Sequence, residues 1–273
     1  MTVSQPKALL NNGISIPLMG LGVYNMYDKE VEEAVIEALK IGYRLIDTAS
    51  MYLNEKEVGN AIRRSDIPRS EIFITTKVNN LDQGYDSTLK AFDTSLKKLQ
   101  TDYTDLYLVH WPIRGKRKDT WKAMERIYAE GRTKSIGVAN YVIPLLEEMK
   151  NYATIVPAVN QVEFSPYLFL PDLLHYCRQH KIQLQAYSPL VRGKMLKDPR
   201  LLGLAKKYNK TPAQMILRWD IQLDVSPIPK SSNPQRLKEN FDIFDFIISE
   251  EDMQLLNSFH EEMRVAEDPM NYL

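Results

Sequence analysis

The sequence predicts an α/β fold of the (β/α)8 TIM-barrel class, preceded by a short β-hairpin. Strand-like and helical segments alternate eight times along the 273 residues, and no Gly/Ser-rich or Pro-rich linker divides them. The strand-like segments lack strict alternation of apolar and polar residues, as expected for parallel strands that helices cover. Eight consecutive βα units favour a closed barrel over an open sheet, so we expect residues 1–273 to form a single domain.

The predicted elements follow in order from the amino terminus. Residues 9–16 predict the hairpin, because Asn11, Asn12 and Gly13 readily supply the positive φ angles of a tight turn. The predicted barrel strands centre near Leu21, Leu45, Ile74, Leu106, Ile136, Val159, Leu184 and Ile228.

The segments between the strands carry apolar residues at helical spacing. Predicted buried helix faces comprise Val31, Val35, Ala38 and Leu39 in one helix and Leu89, Phe92, Leu96 and Leu99 in another. A late helix is predicted to begin at Thr211, a capping residue followed by a proline. The final helix is predicted to begin at Ser249, because acidic residues follow it at the positive end of the helix dipole.

Composition excludes several classes of partner. The 35 Lys and Arg residues balance the 35 Asp and Glu residues, whereas nucleic-acid and membrane-surface binders need a basic excess. One local exception, the run Arg114–Lys118, predicts a solvated loop or a cluster that attracts anionic substrates. A lone Cys177 excludes an internal disulfide and fits a reducing compartment. With no signal-peptide or membrane-spanning run, a soluble cytoplasmic protein is expected.

Four chemically active side chains fall at the ends of three predicted strands. Asp47, Lys77 and His110 each close a strand-like run, and Tyr52 lies in the loop after Asp47. In (β/α)8 barrels the loops after the strands build the active site. An acid, a phenol, an amine and an imidazole at one rim therefore predict a proton-transfer site.

A carbonyl that receives hydride needs a proton donor at its oxygen, and a free tyrosine titrates near pH 10. An ammonium about 4 Å away favours the phenolate by roughly 4 kcal/mol at an effective dielectric near 20. Desolvation opposes this effect, so a smaller net lowering of the pKa of Tyr52 is expected. Lys77 supplies the ammonium, Asp47 keeps it protonated, and His110 donates to the carbonyl oxygen or relays a proton.

Each of these residues also has a structural interpretation. Asp47 could cap a helix, Tyr52 could pack, Lys77 could extend to solvent, and His110 could be a satisfied wall residue. Four suitable residue types at one rim favour function. A metal site fits poorly, because only one His is available there and a neighbouring amine disfavours a cation.

A second cluster predicts an anion site late in the chain. Residues 231–234 resemble a helix start whose backbone N–H groups face outward, with Lys230 behind them and Arg236 able to bind a phosphate with two hydrogen bonds. Barrels often bind phosphate after strands seven and eight. Gly20 and Gly22 lack the third glycine of a Rossmann fingerprint. The alternative is a capped helix with surface cations.

Three long motifs resemble signatures of the aldo-keto reductases. They are residues 42–59, residues 134–141 with one departure, and residues 229–232 followed by Arg236, Glu239 and Asn240. The resemblance runs nearly end to end and implies a barrel that reduces aldehydes and some ketones with NADPH, using Tyr52 as the acid. It implies a catalytic tetrad of Asp47, Tyr52, Lys77 and His110.

The resemblance also implies the ligand contacts. Cofactor-binding residues would be Gly22, Val23, Asp47, Asn140, Gln161, Tyr187, Ser188, Leu190, Lys230, Ser231, Ser232, Arg236, Glu239 and Asn240. The substrate pocket would comprise Tyr24, Tyr52, His110 and Trp111, together with the tail around residues 269–273. Two departures are Ala139, where the family has Ser or Cys, and Tyr24, where Trp is common.

Short segments after His110 and Leu190 resemble the compact microbial branch of the family, which includes 2,5-diketo-gluconate reductases and prostaglandin F synthase-like reductases. A monomer with an open pocket for a small carbonyl substrate is expected. Two other functions are considered: a Schiff-base aldolase that uses Lys77, and an NADPH-binding regulatory subunit with little turnover, as in the potassium-channel β-subunits.

Overall fold

A computed structural model describes residues 5–273. Its strands are β1 (Lys7–Leu9), β2 (Ser15–Pro17), β3 (Leu21–Gly22), β4 (Leu45–Asp47), β5 (Phe73–Val78), β6 (Leu106–Val109), β7 (Ile136–Ala139), β8 (Val159–Glu163), β9 (Gln183–Tyr187) and β10 (Ser226–Pro227). Its α-helices are α1 (Asp28–Ile41), α2 (Glu55–Arg64), α3 (Tyr85–Leu99), α4 (Arg117–Ala129), α5 (Ile143–Met149), α6 (Pro171–Gln179), α7 (Pro199–Tyr208), α8 (Pro212–Gln222), α9 (Pro234–Phe241) and α10 (Glu250–Asn257).

The eight strands β3 to β10 form one parallel sheet in chain order. The first and last strands meet, because the N–H groups of Gly20 and Gly22 donate to the carbonyls of Pro227 and Pro229 at 3.0 and 3.1 Å. A Cβ on Gly22 would lie 2.8 Å from the carbonyl oxygen of Ile228, so this seam requires a residue without a side chain. These contacts confirm the predicted (β/α)8 barrel.

The amino-terminal hairpin is also confirmed. Strands β1 and β2 pair antiparallel, and the turn between them contains Gly13 at φ +85°. Seven of the eight predicted strand centres lie inside observed strands, and the eighth, Ile228, lies one residue past β10. The predicted helix starts at Thr211 and Ser249 are confirmed too, since each side chain caps its helix, α8 and α10 respectively.

The core lies in two layers. Two large clusters of buried side chains join the helices to the outside of the sheet, and they include Val31, Val35, Phe92 and Leu99 from the predicted faces. A third cluster contains strand and hairpin residues without helix residues, and so fills the barrel interior. Ile16 of the hairpin is fully buried in it. The hairpin therefore closes the amino-terminal end, which leaves the carboxyl ends of the strands for a site.

Across residues 5–273, every helix falls short of the length and apolar character that crossing a bilayer requires.

Candidate active site

The four residues of the predicted tetrad meet at the carboxyl end of the barrel. Asp47 is the last residue of β4, Lys77 is the penultimate residue of β5, and His110 directly follows β6. Tyr52 ends a short 3-10 helix, Ser50–Tyr52, which is fastened to β5 because the Ser50 hydroxyl donates to the carbonyl of Lys77 at 3.0 Å. Parallel strands bring these positions to one rim, as predicted from their spacing.

Asp47 and Lys77 form a buried ion pair. The Lys77 Nζ donates to Asp47 Oδ1 at 2.6 Å and to the carbonyl of Thr48 at 3.0 Å, and Gln161 Nε2 donates to Asp47 Oδ2 at 2.7 Å. The two side chains are 2% and 0% exposed, respectively. Burial raises the pKa of Asp47 and lowers the pKa of Lys77, and their mutual attraction opposes both shifts. Because each charge has a close partner and a further hydrogen bond, the pair remains ionised.

The Tyr52 hydroxyl lies 3.4 Å from Lys77 Nζ, which donates to it. Its ring makes edge contacts with Tyr24 and His110, at centroid distances of 5.1 and 5.6 Å. Burial, followed by the charge of Asp47, raises the pKa of Tyr52 well above its usual value of 10.0. The expected net lowering of the pKa of Tyr52 is therefore wrong for this structure, because the phenol is desolvated and the negative charge of Asp47 lies nearby. Tyr52 is therefore protonated at neutral pH.

His110 is 7% exposed, and burial, with the charge of Lys77, lowers its pKa well below 6.5. The imidazole is thus neutral and carries one proton. Its Nδ1 atom is buried and has no hydrogen-bond partner within residues 5–273. A proton on Nε2 avoids burying an unpaired N–H group at Nδ1, and leaves His110 able to donate to an oxygen held at Tyr52.

Beside the tetrad lies a network of amides. Asn140, at φ +64°, donates from Nδ2 to the carbonyl of His110 at 2.9 Å and accepts from the Tyr187 hydroxyl at 2.9 Å. Gln161 donates to both Asp47 and Gln185 at 2.7 Å. In the part of the chain that the structure describes, its Oε1 receives no hydrogen bond. A carboxamide N–H would suit this oxygen.

The segment after β9 has a strained backbone. Ser188, Val191 and Arg192 have φ angles of +49°, +50° and +52°, a region that residues with side chains rarely adopt. Leu190 lies between them and packs on two of the core clusters. Strained residues persist where the surrounding structure holds them, often at ligand sites. The predicted contacts Ser188 and Leu190 therefore belong to a fixed loop at the rim.

The segment predicted to form an anion site is the start of α9, and side chains of this segment accept from two of its N–H groups. Asn233 caps α9 by accepting from the N–H of Arg236 at 3.0 Å, and Ser231 accepts from the N–H of Asn233 at 3.2 Å. Ser232 is partly exposed, and Arg236 is exposed and forms no ion pair with any residue from 5 to 273. Lys230 lies 3.7 Å from Glu30 of α1.

Other predicted contacts are occupied by the protein. The Glu239 carboxylate accepts from the Thr211 hydroxyl at 2.7 Å, and Asn240 is 3% exposed. Val23 is fully buried in the core, and its N–H and carbonyl bond to Asp47 and Asn54. Gly22 serves the barrel seam described above.

The side chains predicted to line the substrate pocket make aromatic contacts. Tyr24 is 50% exposed beside Tyr52, and Trp111 stacks on Tyr272 with ring centroids 5.3 Å apart. Tyr272 belongs to the tail that was expected near the pocket. Sequence reasoning did not identify Gln185, which supports Gln161, or Glu163, which binds the tail. The available signal was the recurrence of long polar residues at every second position, Gln161 and Glu163 in β8 and Gln183 and Gln185 in β9.

The basic run Arg114–Lys118 is only partly a solvated loop. Arg117 begins α4, is 6% exposed, and pairs with Glu148 at 2.7 Å. It therefore fastens α4 to α5, and Arg114, Lys116 and Lys118 stay exposed.

Within residues 5–273, no three His, Cys, Asp or Glu side chains are grouped to hold a metal ion. Cys177 is buried in α6.

A (β/α)8 barrel with a phenol, a buried Lys–Asp pair and a neutral imidazole at its carboxyl rim has the chemical groups that an enzyme needs to transfer a proton. Residues 18–261 match the model of the Aldo/keto reductase family, and the chain belongs to this family.

Known relatives agree with this assignment. The chain is 49% identical to glyoxal reductase of Bacillus subtilis over 261 residues, which are 95% of each protein. An aldo/keto reductase structure from Brucella melitensis has a TM-score of 0.91 and 48% identity, covering 94% of this chain and 100% of that one. A Bombyx mori aldo-keto reductase in complex with NADP has a TM-score of 0.91 and 34% identity, with 97% and 96% covered.

Proposed function

We propose that the protein reduces aldehydes, α-dicarbonyls and some ketones to alcohols with NADPH, and that Tyr52 donates the proton. The observation that carries the proposal is the contact between Lys77 Nζ and the Tyr52 hydroxyl at 3.4 Å, with Asp47 2.6 Å behind Lys77. A relative that is a glyoxal reductase and a neighbour that binds NADP support the substrate class and the cofactor.

The residues present fit NADPH. Gln161 Oε1 is free to accept a hydrogen bond from the nicotinamide carboxamide. Asn140 lies next to Gln161 across the sheet, and the Tyr187 hydroxyl donates to Asn140. Exposed Arg236 and Lys230 at the start of α9 suit a 2′-phosphate, because Arg can form two parallel hydrogen bonds to phosphate. Ser188 and Leu190 would border the pyrophosphate, and Glu239 and Asn240 the adenine.

The chemistry follows from protonation states. When bound, NADPH supplies the hydride that adds to the carbonyl carbon. Tyr52 transfers its phenolic proton to the carbonyl oxygen, which becomes the alcohol, and His110 holds that oxygen through Nε2–H. Lys77 stabilises the phenolate that Tyr52 becomes, and Asp47 holds Lys77 in its charged form. Tyr52 then recovers a proton from solvent.

We further propose that the protein is a cytoplasmic monomer of one domain that acts on small molecules.

The geometry disfavours a Schiff-base aldolase. Lys77 is fully buried and its ammonium is held by Asp47 and Thr48, whereas imine formation needs a neutral amine that reaches the substrate.

The test is NADPH consumption with 4-nitrobenzaldehyde, wild type beside Tyr52→Phe. Turnover should fall by on the order of 10³ or more in the variant, because the general acid is lost. NADPH affinity, measured by fluorescence quenching, should be unchanged. Tyr176→Phe, which removes a phenol remote from the rim, is the matched control.

Other outcomes distinguish the alternatives. NADPH binding without turnover across aldehydes, α-dicarbonyls and ketones would indicate a regulatory subunit. Borohydride trapping of a carbonyl substrate on Lys77 would indicate an aldolase. Full activity of Tyr52→Phe would refute the assigned acid.

A further inference from the structure

A buried carboxylate outside the tetrad binds the carboxyl-terminal tail. Glu163 is the last residue of β8 and is 4% exposed. Its Oε1 accepts from the N–H of Val265 at 2.6 Å, and its Oε2 accepts from the N–H of Ala266 at 3.1 Å. Both carboxylate oxygens therefore hold successive backbone amides of the tail, more than 100 residues away in the chain.

The same stretch of tail makes further polar contacts with the rest of the protein. The Glu261 carboxylate pairs with Arg200 at 2.6 Å, and His260 Nδ1 accepts from the N–H of Phe169 at 3.1 Å. The N–H groups of Glu261 and Met263 both donate to the carbonyl of Tyr167 at 3.1 Å. The two hydrogen bonds from Val265 and Ala266 to Glu163 are called here the Glu163 clamp. Arg264 lies in the chain between the Tyr167 contact and this clamp, and its positive charge attracts the Glu163 carboxylate. Among residues 5–273, the clamp is the last polar attachment of the tail to the barrel before the tail reaches Trp111, and the polar contacts of residues 267–273 lie within the tail.

Beyond the clamp, the tail delivers an aromatic ring to the rim. Tyr272 lies in the 3-10 helix Pro269–Tyr272 and stacks on Trp111, with ring centroids 5.3 Å apart and planes 29° apart. Its hydroxyl bonds to Glu267 at 2.9 Å, inside the tail itself. Trp111 follows His110 in the chain, so the stacked pair stands beside the reacting end of the site.

We propose that Glu163 is a positioning residue for substrate selection. By fixing Val265 and Ala266, it holds Tyr272 against Trp111, and this Trp111–Tyr272 wall favours carbonyl substrates that carry a flat aromatic ring over small dicarbonyls. This proposal rests on the proposed reductase function for its substrate class. The clamp itself does not depend on any reaction.

The chemistry of the clamp makes it sensitive to a single atom. A carboxylate accepts two N–H bonds at once, and hydrogen bonds to a charged acceptor are roughly twice as strong as neutral ones. A glutamine has one acceptor oxygen, and its NH2 group would face a backbone N–H. Glu163→Gln therefore keeps the volume of the side chain. It loses one of the two hydrogen bonds, and the remaining bond no longer has a charged acceptor.

The first test measures how firmly the clamp holds the tail and needs no assay of enzyme activity. Trypsin cleaves after Arg264, and the Arg264–Val265 bond carries one of the clamped amides. Cleavage requires local opening of the tail. We expect release of the peptide 265–273, followed by mass spectrometry, to be roughly tenfold faster in Glu163→Gln, as loss of a charged hydrogen bond implies. Glu262→Gln, an exposed tail residue without a side-chain polar contact in the described range, should match wild type.

The second test reads the wall. With 4-nitrobenzaldehyde, Glu163→Gln and Tyr272→Ala should each raise KM several-fold with kcat unchanged, because the wall contacts the substrate ring equally in the ground state and the transition state. With methylglyoxal both parameters should stay at wild-type values. NADPH affinity should be unchanged in both variants, and Tyr176→Phe, which removes a phenol remote from the rim, should behave as wild type.

The two tests separate the ways of failing. Equal trypsin cleavage in Glu163→Gln and wild type would overturn the clamp. If cleavage is faster but KM changes equally for both substrates, or does not change for either, the Trp111–Tyr272 wall does not select aromatic substrates. The double variant Glu163→Gln/Tyr272→Ala should be no worse than Tyr272→Ala alone, and additive effects would contradict their coupling. Absence of all turnover would refute the reductase proposal and leave the proteolysis result standing.

Discussion

The two halves of the proposed active site differ in how far they are assembled. At the catalytic end, Asp47 and Lys77 are almost fully buried, 2.6 Å apart, and further bonded to Gln161 and Thr48. At the phosphate end, Lys230 is 42% exposed and rests 3.7 Å from Glu30, and Arg236 is exposed without an ion pair in residues 5–273.

This difference follows from what each half has to do. The tetrad must keep a charged amine beside a phenol in a desolvated place, and a buried charge is stable only when partners surround it. In the proposed function, the phosphate end exchanges solvent, and in the case of Lys230 a surface carboxylate, for a ligand that arrives and leaves. Surface ion pairs contribute about 0–1 kcal/mol, so Glu30 is easily displaced. Substitutions should therefore destabilise the protein at the first half and alter ligand affinity at the second.

The largest effect is expected for Lys77→Met. It leaves the Asp47 carboxylate buried without its cation, which should lower the free energy of unfolding by about 3–5 kcal/mol. Turnover should fall by on the order of 10²–10³, because the phenolate of Tyr52 loses its stabilising charge. Urea unfolding and NADPH consumption are the measurements.

The double variant Asp47→Asn/Lys77→Met is the control for this prediction. It removes the unpaired charge, so it should regain a large part of the stability but none of the activity. If Lys77→Met alone unfolds at the wild-type urea concentration, the ion pair does not hold the catalytic half together.

Substitutions at the phosphate end should change affinity and leave stability unchanged. Lys230→Met and Arg236→Met should each weaken NADPH roughly tenfold or more, since each removes a charge-assisted hydrogen bond. NADH, which lacks the 2′-phosphate, should bind as it does to wild type. Fluorescence titration with both cofactors measures the difference.

Glu30→Gln provides the opposite control, because it frees Lys230. NADPH should bind equally well or up to a few-fold more tightly, in line with the weakness of a surface pair. Equal weakening of NADPH and NADH in Lys230→Met or Arg236→Met would show that these residues do not read the 2′-phosphate.

His110 makes the catalytic half sensitive to acid. Its pKa in the folded protein lies well below 6.5 because the ring is buried near Lys77, whereas an unfolded histidine titrates near 6.5. Below pH 6.5 the unfolded state binds a proton that the folded state does not, so stability contributed by neutral His110 is present above that pH and is lost as pH falls.

The expected loss approaches about 1.4 kcal/mol for each pH unit below the unfolded pKa. Urea unfolding at pH 7.5 and pH 5.5 should show a larger decrease for wild type than for His110→Gln. Parallel decreases in the two proteins would mean that His110 takes up a proton in the fold.

Sequence reasoning located the tetrad because parallel strands end at one rim, so Asp47, Lys77 and His110 had to meet once their strands were identified. It predicted a lowered pKa for Tyr52, whereas burial, followed by the charge of Asp47, raises it. It also missed the burial of Arg117 and the clamp of Glu163. Those contacts join distant segments through packing, and nothing in the neighbouring sequence specifies the partner.

The smallest effect is expected for a change in cofactor affinity at Ala139, which lies between the catalytic end and the phosphate end. Ala139 ends β7, is 1% exposed, and pairs in register with Gln161, whose free oxygen suits a carboxamide. A hydroxyl at this position would add one neutral hydrogen bond to the nicotinamide end, worth about 1 kcal/mol. Ala139→Ser should thus tighten NADPH about fivefold, since 1.4 kcal/mol corresponds to a factor of ten. Because NADPH and NADH share this ring, both should tighten equally, unlike the response to Arg236→Met. Tightening of NADPH alone would place Ala139 with the phosphate end, and no change in either would mean that the carboxamide already has its partners in Gln161 and Asn140.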